Sequence, residues 1–265
     1  MDLQLKGRRA IVTGSSAGLG EAIARRLAAE GAAVVVHGRR AEAVGAVVNA
    51  ISSDGGQAEG LTADLADPGD CARLISGALA GGDIDILVNN AGAFANRDWD
   101  DASPEDWLEL YATNVAAVVR CIQGFVPAMR SARWGRIVQI GTGEAINPFP
   151  VMPDYAATKA ALLNLTVSLA KHLDRTGITV NTVSPGIVVT PGVQEYYRLE
   201  AARRGWGKDW PAIEAGVLAE VLDNPTGRLG RPEEVADLVA FVASPLAGYV
   251  NGSNLRIDGG STAVV

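Results

Sequence analysis

The chain of 265 residues is poor in the side chains that build metal sites and disulfide frameworks. Its two cysteines, Cys71 and Cys121, are too few for a disulfide scaffold or a Cys-rich metal centre. Two histidines, His37 and His172, leave too few ligands for a zinc site without a run of carboxylates, so no metal is expected. Positive charge is also in deficit: 23 Lys+Arg against 30 Asp+Glu give a formal charge of −7. Gripping a phosphate backbone takes a basic face, so a nucleic-acid partner is excluded, although a small basic pocket for one phosphorylated ligand is not. No stretch reaches the ~18 continuous apolar residues of a membrane span. Residues 1–6 have no basic start followed by an apolar run, so no secretory leader is expected. Internal repeats and low-complexity tails are missing too. These absences point to a cytoplasmic protein in a reducing setting, with no membrane and no nucleic acid among its partners.

What is present is 48% hydrophobic residues and 31 glycines in a chain long enough for one large core. Short, mostly β-branched runs at 10–12, 33–36, 84–88, 135–140 and 178–183 read as strands buried on both faces of a parallel sheet. Longer amphipathic patterns at 20–30, 41–53, 68–79, 104–129 and 155–174 read as helices between them. In the last, Leu162, Leu165 and Leu169 keep the spacing of a buried stripe. A helix at 232–244 and a short strand at 254–257 close the chain. Strand-helix alternation throughout predicts a doubly wound α/β fold of the Rossmann type, a single domain over 1–265. Residues 191–226 break the rhythm, with no strand and with Tyr196, Tyr197, Trp206 and Trp210 crowded together. Such an excursion is either a substrate-covering segment or a pair of helices packing those aromatics internally or against another subunit.

Thr13-Gly14-Ser15-Ser16-Ala17-Gly18-Leu19-Gly20 follows the first strand and opens the first helix. Glycines there allow a tight turn and let backbone N–H groups approach a pyrophosphate at the positive helix end. A dinucleotide cofactor is therefore expected on Gly14, Ser15, Ser16, Gly18, Leu19 and Gly20. The second strand ends in His37-Gly38-Arg39-Arg40. An acidic residue at this tip would favour NAD by accepting the ribose hydroxyls. Two guanidiniums instead suit the 2′-phosphate of NADP, with NAD the alternative.

Tyr155-Ala156-Ala157-Thr158-Lys159 places a phenol and an ammonium one helical turn apart. Free tyrosine has a pKa of about 10, and a neighbouring ammonium, helped by the cationic nicotinamide ring in the oxidised complex, is expected to lower it. The phenol can then exchange a proton with a carbonyl or alcohol oxygen.

With Asp64-Leu65, Asn89-Asn90-Ala91-Gly92, Asn114, Asn181, Pro185-Gly186, Thr190, Arg231 to Ala236 and Asp258-Gly259-Gly260, the whole chain resembles the short-chain dehydrogenase/reductase family, and within it the 3-oxoacyl-acyl-carrier-protein reductases. The resemblance implies that Tyr155 is the general acid/base and that Lys159 binds the nicotinamide ribose and tunes Tyr155. It implies that Asn114 holds a water linking Lys159 to solvent, that Asp64 and Leu65 lie at the adenine, and that Asn90, Ala91 and Gly92 support the ribose. Pro185, Gly186, Val188 and Thr190 would meet the nicotinamide, with Thr190 bonding its carboxamide. Two blander roles stay open: Asn114 bonding backbone within its helix, and Asp64 capping its own loop. The sequence departs from the family at Thr142, where a serine usually holds the substrate oxygen. Threonine keeps the donor but adds a methyl and a stiffer χ1.

The resemblance implies an NAD(P)-dependent oxidoreductase, NADP favoured, acting on a ketone/secondary alcohol pair. An NAD-dependent alcohol dehydrogenase working oxidatively is the alternative, and a cofactor-binding regulator without chemistry a more distant one. Apolar residues flanking the pocket suggest a medium-sized, mainly apolar carbonyl substrate. Family members pair the helices at 104–129 and 155–174 between subunits, often adding the run at 247–265, so a homotetramer or homodimer is expected.

Overall fold

A computed structural model describes residues 1–263. Seven strands form one all-parallel sheet: β1 (Arg9–Val12), β2 (Ala33–Gly38), β3 (Gln57–Thr62), β4 (Ile86–Asn89), β5 (Gly135–Ile140), β6 (Ile178–Pro185) and β7 (Asn254–Ile257). Their spatial order is β3-β2-β1-β4-β5-β6-β7. The chain winds outward from β1 in one direction, then returns to start again at β4. The carboxyl ends of β1 and β4 therefore flank the crevice where a doubly wound sheet binds ligands.

Side chains alternate across each strand, so one sheet serves two cores. Ala10, Val12, Val34, Val36, Ile86 and Val88 face α1 (Gly18–Ala29), α2 (Ala41–Ser53) and α9 (Pro232–Val242). Ile11, Val35, Leu87 and Ile137 face the other way, toward α3 (Pro68–Ala80), α5 (Ala117–Ala132) and α6 (Pro153–His172). Cys71 and Cys121 are buried free thiols in that second core. The expected doubly wound architecture is the one observed.

Three local features differ from the sequence expectation. β3 is an additional strand: its sequence, QAEGLT, has no β-branched run because it is an edge strand, mostly exposed. The helix expected over 104–129 is interrupted. α4 (Pro104–Tyr111) passes into a π-helical turn at Ala112–Ala116 before α5 begins. Such a turn widens the helix locally and re-aims the side chains on it, here Asn114. Third, residues 191–226 carry two helices, α7 (Pro191–Arg204) and α8 (Trp210–Glu220). They pack on a small core of their own, in which Tyr197, Ala201, Ile213, Val217 and Leu229 are buried.

Candidate active site

The turn from β1 into α1 is shaped by close approach. Gly14 and Gly18 have φ of +65° and +58°, the left-handed region that glycine enters at least cost. A Cβ at Gly20 would lie 2.3 Å from the Gly14 carbonyl oxygen, and one at Gly14 would lie 2.9 Å from Ala91 Cα. The turn thus sits directly against the segment after β4. Helix α1 starts after Ala17, which offers no side-chain cap. The first N–H groups, at Gly18, Leu19 and Gly20, keep no partner from a capping side chain, and the helix dipole adds positive potential there. These groups suit a diphosphate.

Neighbouring residues hold the turn in place. Ser15 N donates to His37 O at 2.7 Å, and His37 N donates to Ser15 Oγ at 3.0 Å. Gly14 N donates to His37 Nδ1 at 3.0 Å. The Nε2 of His37 lies 3.2 Å from Ala63 O. That pairing places the ring proton on Nε2, and burial pushes the His37 pKa down, keeping the ring neutral. Asn90 Nδ2 donates to Thr13 O and Gly14 O at 2.9 and 3.1 Å. Asn90 and Ala91 both donate their backbone N–H to Thr13 Oγ1. The amide of Asn90 is therefore engaged with the turn itself.

At the tip of β2, a Cβ on Gly38 would fall 2.4 Å from Ser16 Oγ. The tip carries no side chain, and Arg39 and Arg40 follow it exposed. Asp64 takes the loop-capping role left open above: its Oδ1 accepts from Ala66 N at 3.0 Å, and its N–H donates to Asp70 Oδ2. Leu65 beside it is buried.

Helix α6 brings Tyr155 and Lys159 to the end of β5. Lys159 is buried, and its Nζ donates to Ile140 O at 2.8 Å. The ammonium lies 5.7 Å from the Tyr155 ring centroid. Burial lowers its pKa to about 8. Thr142, on the turn after β5, brings its hydroxyl close to that of Tyr155. Without the nicotinamide ring, the expected lowering of the phenol pKa is not seen. With the protein groups alone its pKa is raised above the ordinary value, by burial first and by the Glu144 carboxylate second, and the nearby Thr142 hydroxyl opposes this only in part.

Asn114, on the π-turn, is buried and its side chain is fully engaged. Oδ1 accepts from Ala93 N at 2.8 Å, and Nδ2 donates to Ala93 O and Thr158 Oγ1 at 2.9 and 3.0 Å. Its side chain does bond backbone, but across to Ala93 in the loop after β4 and not within its own helix. It also fixes Gly92, where a Cβ would lie 3.3 Å from Asn114 Oδ1 and 3.5 Å from Lys159 Nζ. Pro185 ends β6, and Gly186, Val188 and Thr190 follow it along the same sheet edge. Thr190 Oγ1 caps α7 by accepting from Val193 N at 3.3 Å, which leaves its proton free to donate.

Glu144 and Arg97, near the site, were among the groups not legible in the sequence. Glu144 stands beside Tyr155 on the 3-10 turn at Gly143–Ala145. Arg97 bonds Asp106 and lies 3.5 Å from the wholly buried carboxylate of Asp154. Its carbonyl also accepts from Met152 N at 2.7 Å, where Met152 has a left-handed φ of +56° at the start of α6. An acidic residue two positions after Thr142, and one just before Tyr155, were the available signals.

Residues 8–200 match the family described as short chain dehydrogenase. The chain is 37% identical over 263 residues to an uncharacterized oxidoreductase, YvrD, of Bacillus subtilis, covering 98% of each. It is 35% identical over 259 residues to the 3-oxoacyl-[acyl-carrier-protein] reductase FabG of Escherichia coli, covering 97% of this chain and 98% of FabG. The crystal structure of L-sorbose reductase from Gluconobacter frateurii, complexed with NADPH and L-sorbose, superposes with a TM-score of 0.94 at 32% identity over 100% of both chains. The winding of the sheet, the open glycine turn and the Tyr155–Lys159 pair agree with these matches: the chain belongs to the short-chain dehydrogenase/reductase family.

Proposed function

We propose that the protein is an NADP-preferring oxidoreductase that interconverts a ketone and a secondary alcohol. The observation that carries this reading is the convergence of the Tyr155 hydroxyl, the Thr142 hydroxyl and the Lys159 ammonium, with the Ala91–Gly92 segment between Lys159 and the glycine turn before α1. The complex of L-sorbose reductase with NADPH supports the cofactor preference, as do Arg39 and Arg40 after a strand tip without a carboxylate.

In this reading Gly14, Ser15, Ser16, Gly18, Leu19 and Gly20 hold the diphosphate, Arg39 and Arg40 the 2′-phosphate, and Asp64 and Leu65 the adenine. Asn90, Ala91 and Gly92 form the floor under the ribose, and Pro185, Gly186, Val188 and Thr190 the nicotinamide side. The bound cofactor supplies or takes up hydride. Thr142 donates a hydrogen bond to the substrate oxygen, polarising the carbonyl. Tyr155 gives its proton to that oxygen in reduction and removes one in oxidation. A phenol held protonated by burial is poised for the first direction. Lys159 holds the cofactor ribose and replenishes the Tyr155 proton. Asn114 positions the Gly92–Ala93 segment and α6 through Thr158, and its place on the π-turn supports the expected water relay behind Lys159.

Residues 191–226 cover the substrate; Tyr196 reaches Asn96 across the cleft at 3.5 Å. The single domain extends over 1–265, its last two residues lying outside the described ones. Exposed Leu108 and Tyr111 on α4 and Val167 on α6 support a homotetramer or homodimer built through these helices. A monomer by light scattering at micromolar concentration overturns that assembly. A cytoplasmic location accords with two free thiols and with no helix among the described residues long and apolar enough to cross a membrane.

The test is absorbance at the reduced-nicotinamide band with NADPH and a ketone panel. Oxidation of NADPH with at least one ketone is expected. No turnover with any member overturns the reading, and faster turnover with NADH overturns the cofactor preference.

A further inference from the structure

Glu144 has a position that its ordinary chemistry does not explain. It stands two residues after Thr142, on the turn that leaves β5, with its backbone N–H donating to Thr142 Oγ1 at 3.4 Å. Its Oε2 is shut off from solvent and has no hydrogen-bond partner among the described residues. A carboxylate oxygen enclosed without a donor is costly, and proteins seldom retain one without a use. Among the described residues no arginine or lysine forms an ion pair with it; the groups that sense its charge are two phenols, Tyr155 on α6 and Tyr197 on α7. Burial raises the carboxyl pKa to about 7, so near neutral pH it can serve as donor or acceptor.

The surroundings define what the carboxyl meets. Tyr155 and Thr142 mark where the reacting oxygen sits. Phe94 packs edge-on to Tyr155 with ring centroids 6.0 Å apart, and Ile146 and Tyr196 are exposed on the neighbouring loop and helix. Near Tyr155 the cleft thus presents the Phe94, Ile146 and Tyr196 side chains, with the unsatisfied carboxyl of Glu144 next to Thr142.

We infer that Glu144 is a specificity-determining residue that hydrogen-bonds a hydroxyl group on a carbon close to the reacting carbonyl, so that the substrate class is hydroxy-ketones and the corresponding diols. This rests on the proposed ketone/alcohol chemistry and sharpens it. The mainly apolar substrate expected from the flanking residues fits the rim, and the hydroxyl fits the carboxyl. A plain ketone leaves the carboxyl without a partner in the complex, whereas a hydroxy-ketone can donate to its Oε1, the oxygen that is not enclosed and accepts no hydrogen bond among the described residues. A site with a buried polar group discriminates against a ligand that lacks the matching one.

The experiment uses matched pairs that differ by one hydroxyl, such as 3-hydroxy-2-butanone with 2-butanone and 1-hydroxy-2-alkanones with 2-alkanones, each with NADPH. In the unmodified protein kcat/KM should favour the hydroxylated member by at least about tenfold. Glu144→Leu should collapse that ratio toward one, and Glu144→Gln, which retains a donor and an acceptor, should keep much of it. The ratio within one protein cancels any general effect of the substitution on folding or on Tyr155. A ratio near one in the unmodified protein, or one unchanged in Glu144→Leu, overturns the assignment while leaving the ketone chemistry standing. Absence of NADPH oxidation with every member overturns the ketone chemistry itself.

Discussion

The Nδ1 of His37, at the end of β2, accepts the backbone N–H of Gly14, in the turn after β1, at 3.0 Å. A side chain on one strand thereby sets the shape of the loop that follows its neighbour. The bond requires an unprotonated Nδ1, so the loop geometry is tied to the charge state of His37.

That tie gives a pH prediction with a definite sign. The folded His37 pKa is depressed below 6.5 by burial, so below pH 6.5 the unfolded chain binds the proton first. Stability contributed by the neutral ring is complete above pH 6.5 and is lost as pH falls beneath it. His37→Leu should cost about 1 to 3 kcal/mol at pH 7.5 from the lost bonds, and less at pH 5.5. It should also weaken NADPH binding. Urea midpoints at the two pH values measure this, and equal losses at both would contradict the brace.

Arg97 supports a second prediction. The Asp154 carboxylate is wholly buried, one oxygen accepts the Tyr155 N–H at 2.8 Å, and Arg97 is the cation facing the other. Removing one partner of a buried pair leaves an uncompensated charge, which costs about 3 to 5 kcal/mol. Arg97 is about a quarter exposed, at 26% of its side-chain surface, so the lower end of that range is expected for Arg97→Met. Adding Asp154→Asn should recover much of the loss. Denaturation of the two single variants and the double variant tests the coupling; strictly additive losses exclude it.

The strands that carry the core were legible because burial on both faces leaves unbroken apolar runs, as in ILVN of β4. The exposed edge strand β3 carries no such pattern, and neither does the π-turn at Asn114, where the helical spacing continues through the irregularity. Tyr155, Lys159 and the glycine turn were legible because their spacing along the chain is their geometry. Glu144 and His37 were not. The role of each depends on what the fold places opposite it, Tyr155 and Tyr197 for one and Gly14 for the other. The pKa of Tyr155 followed the same rule: spacing showed the neighbouring ammonium, but only the folded chain shows how deeply the phenol is buried.

The Tyr155 hydroxyl can be removed without disturbing much else. Tyr155→Phe retains the ring against Phe94 and loses only the hydroxyl beside Thr142. Turnover should fall by about 10²-fold or more, the usual weight of a positioned acid/base, with NADPH affinity little changed. Stopped-flow or steady-state assays beside a cofactor titration measure both, and turnover near that of the unmodified protein would remove Tyr155 from the reaction.

Cofactor choice rests on three consecutive residues. Gly38 presents no carboxylate to a ribose, and Ser16 Oγ occupies the space into which a side chain there would grow. Arg39 and Arg40 follow, both exposed. NADP differs from NAD by a 2′-phosphate of nearly two negative charges, and a charge-assisted contact to it contributes roughly 1.5 to 3 kcal/mol. At about 1.4 kcal/mol per decade, one such contact gives some ten- to hundredfold preference. Arg39 directly follows the strand tip, so Arg39→Ala should weaken NADPH binding by about that factor and leave NADH binding almost unchanged. Because both guanidiniums are exposed, added salt should erode the preference by screening, whereas a buried contact would resist it. Fluorescence titrations with the two reduced cofactors at low and high ionic strength read both effects. Equal losses for the two cofactors in Arg39→Ala would move the phosphate contact to Arg40, and no loss in either single variant or in the double variant would remove it from this strand end.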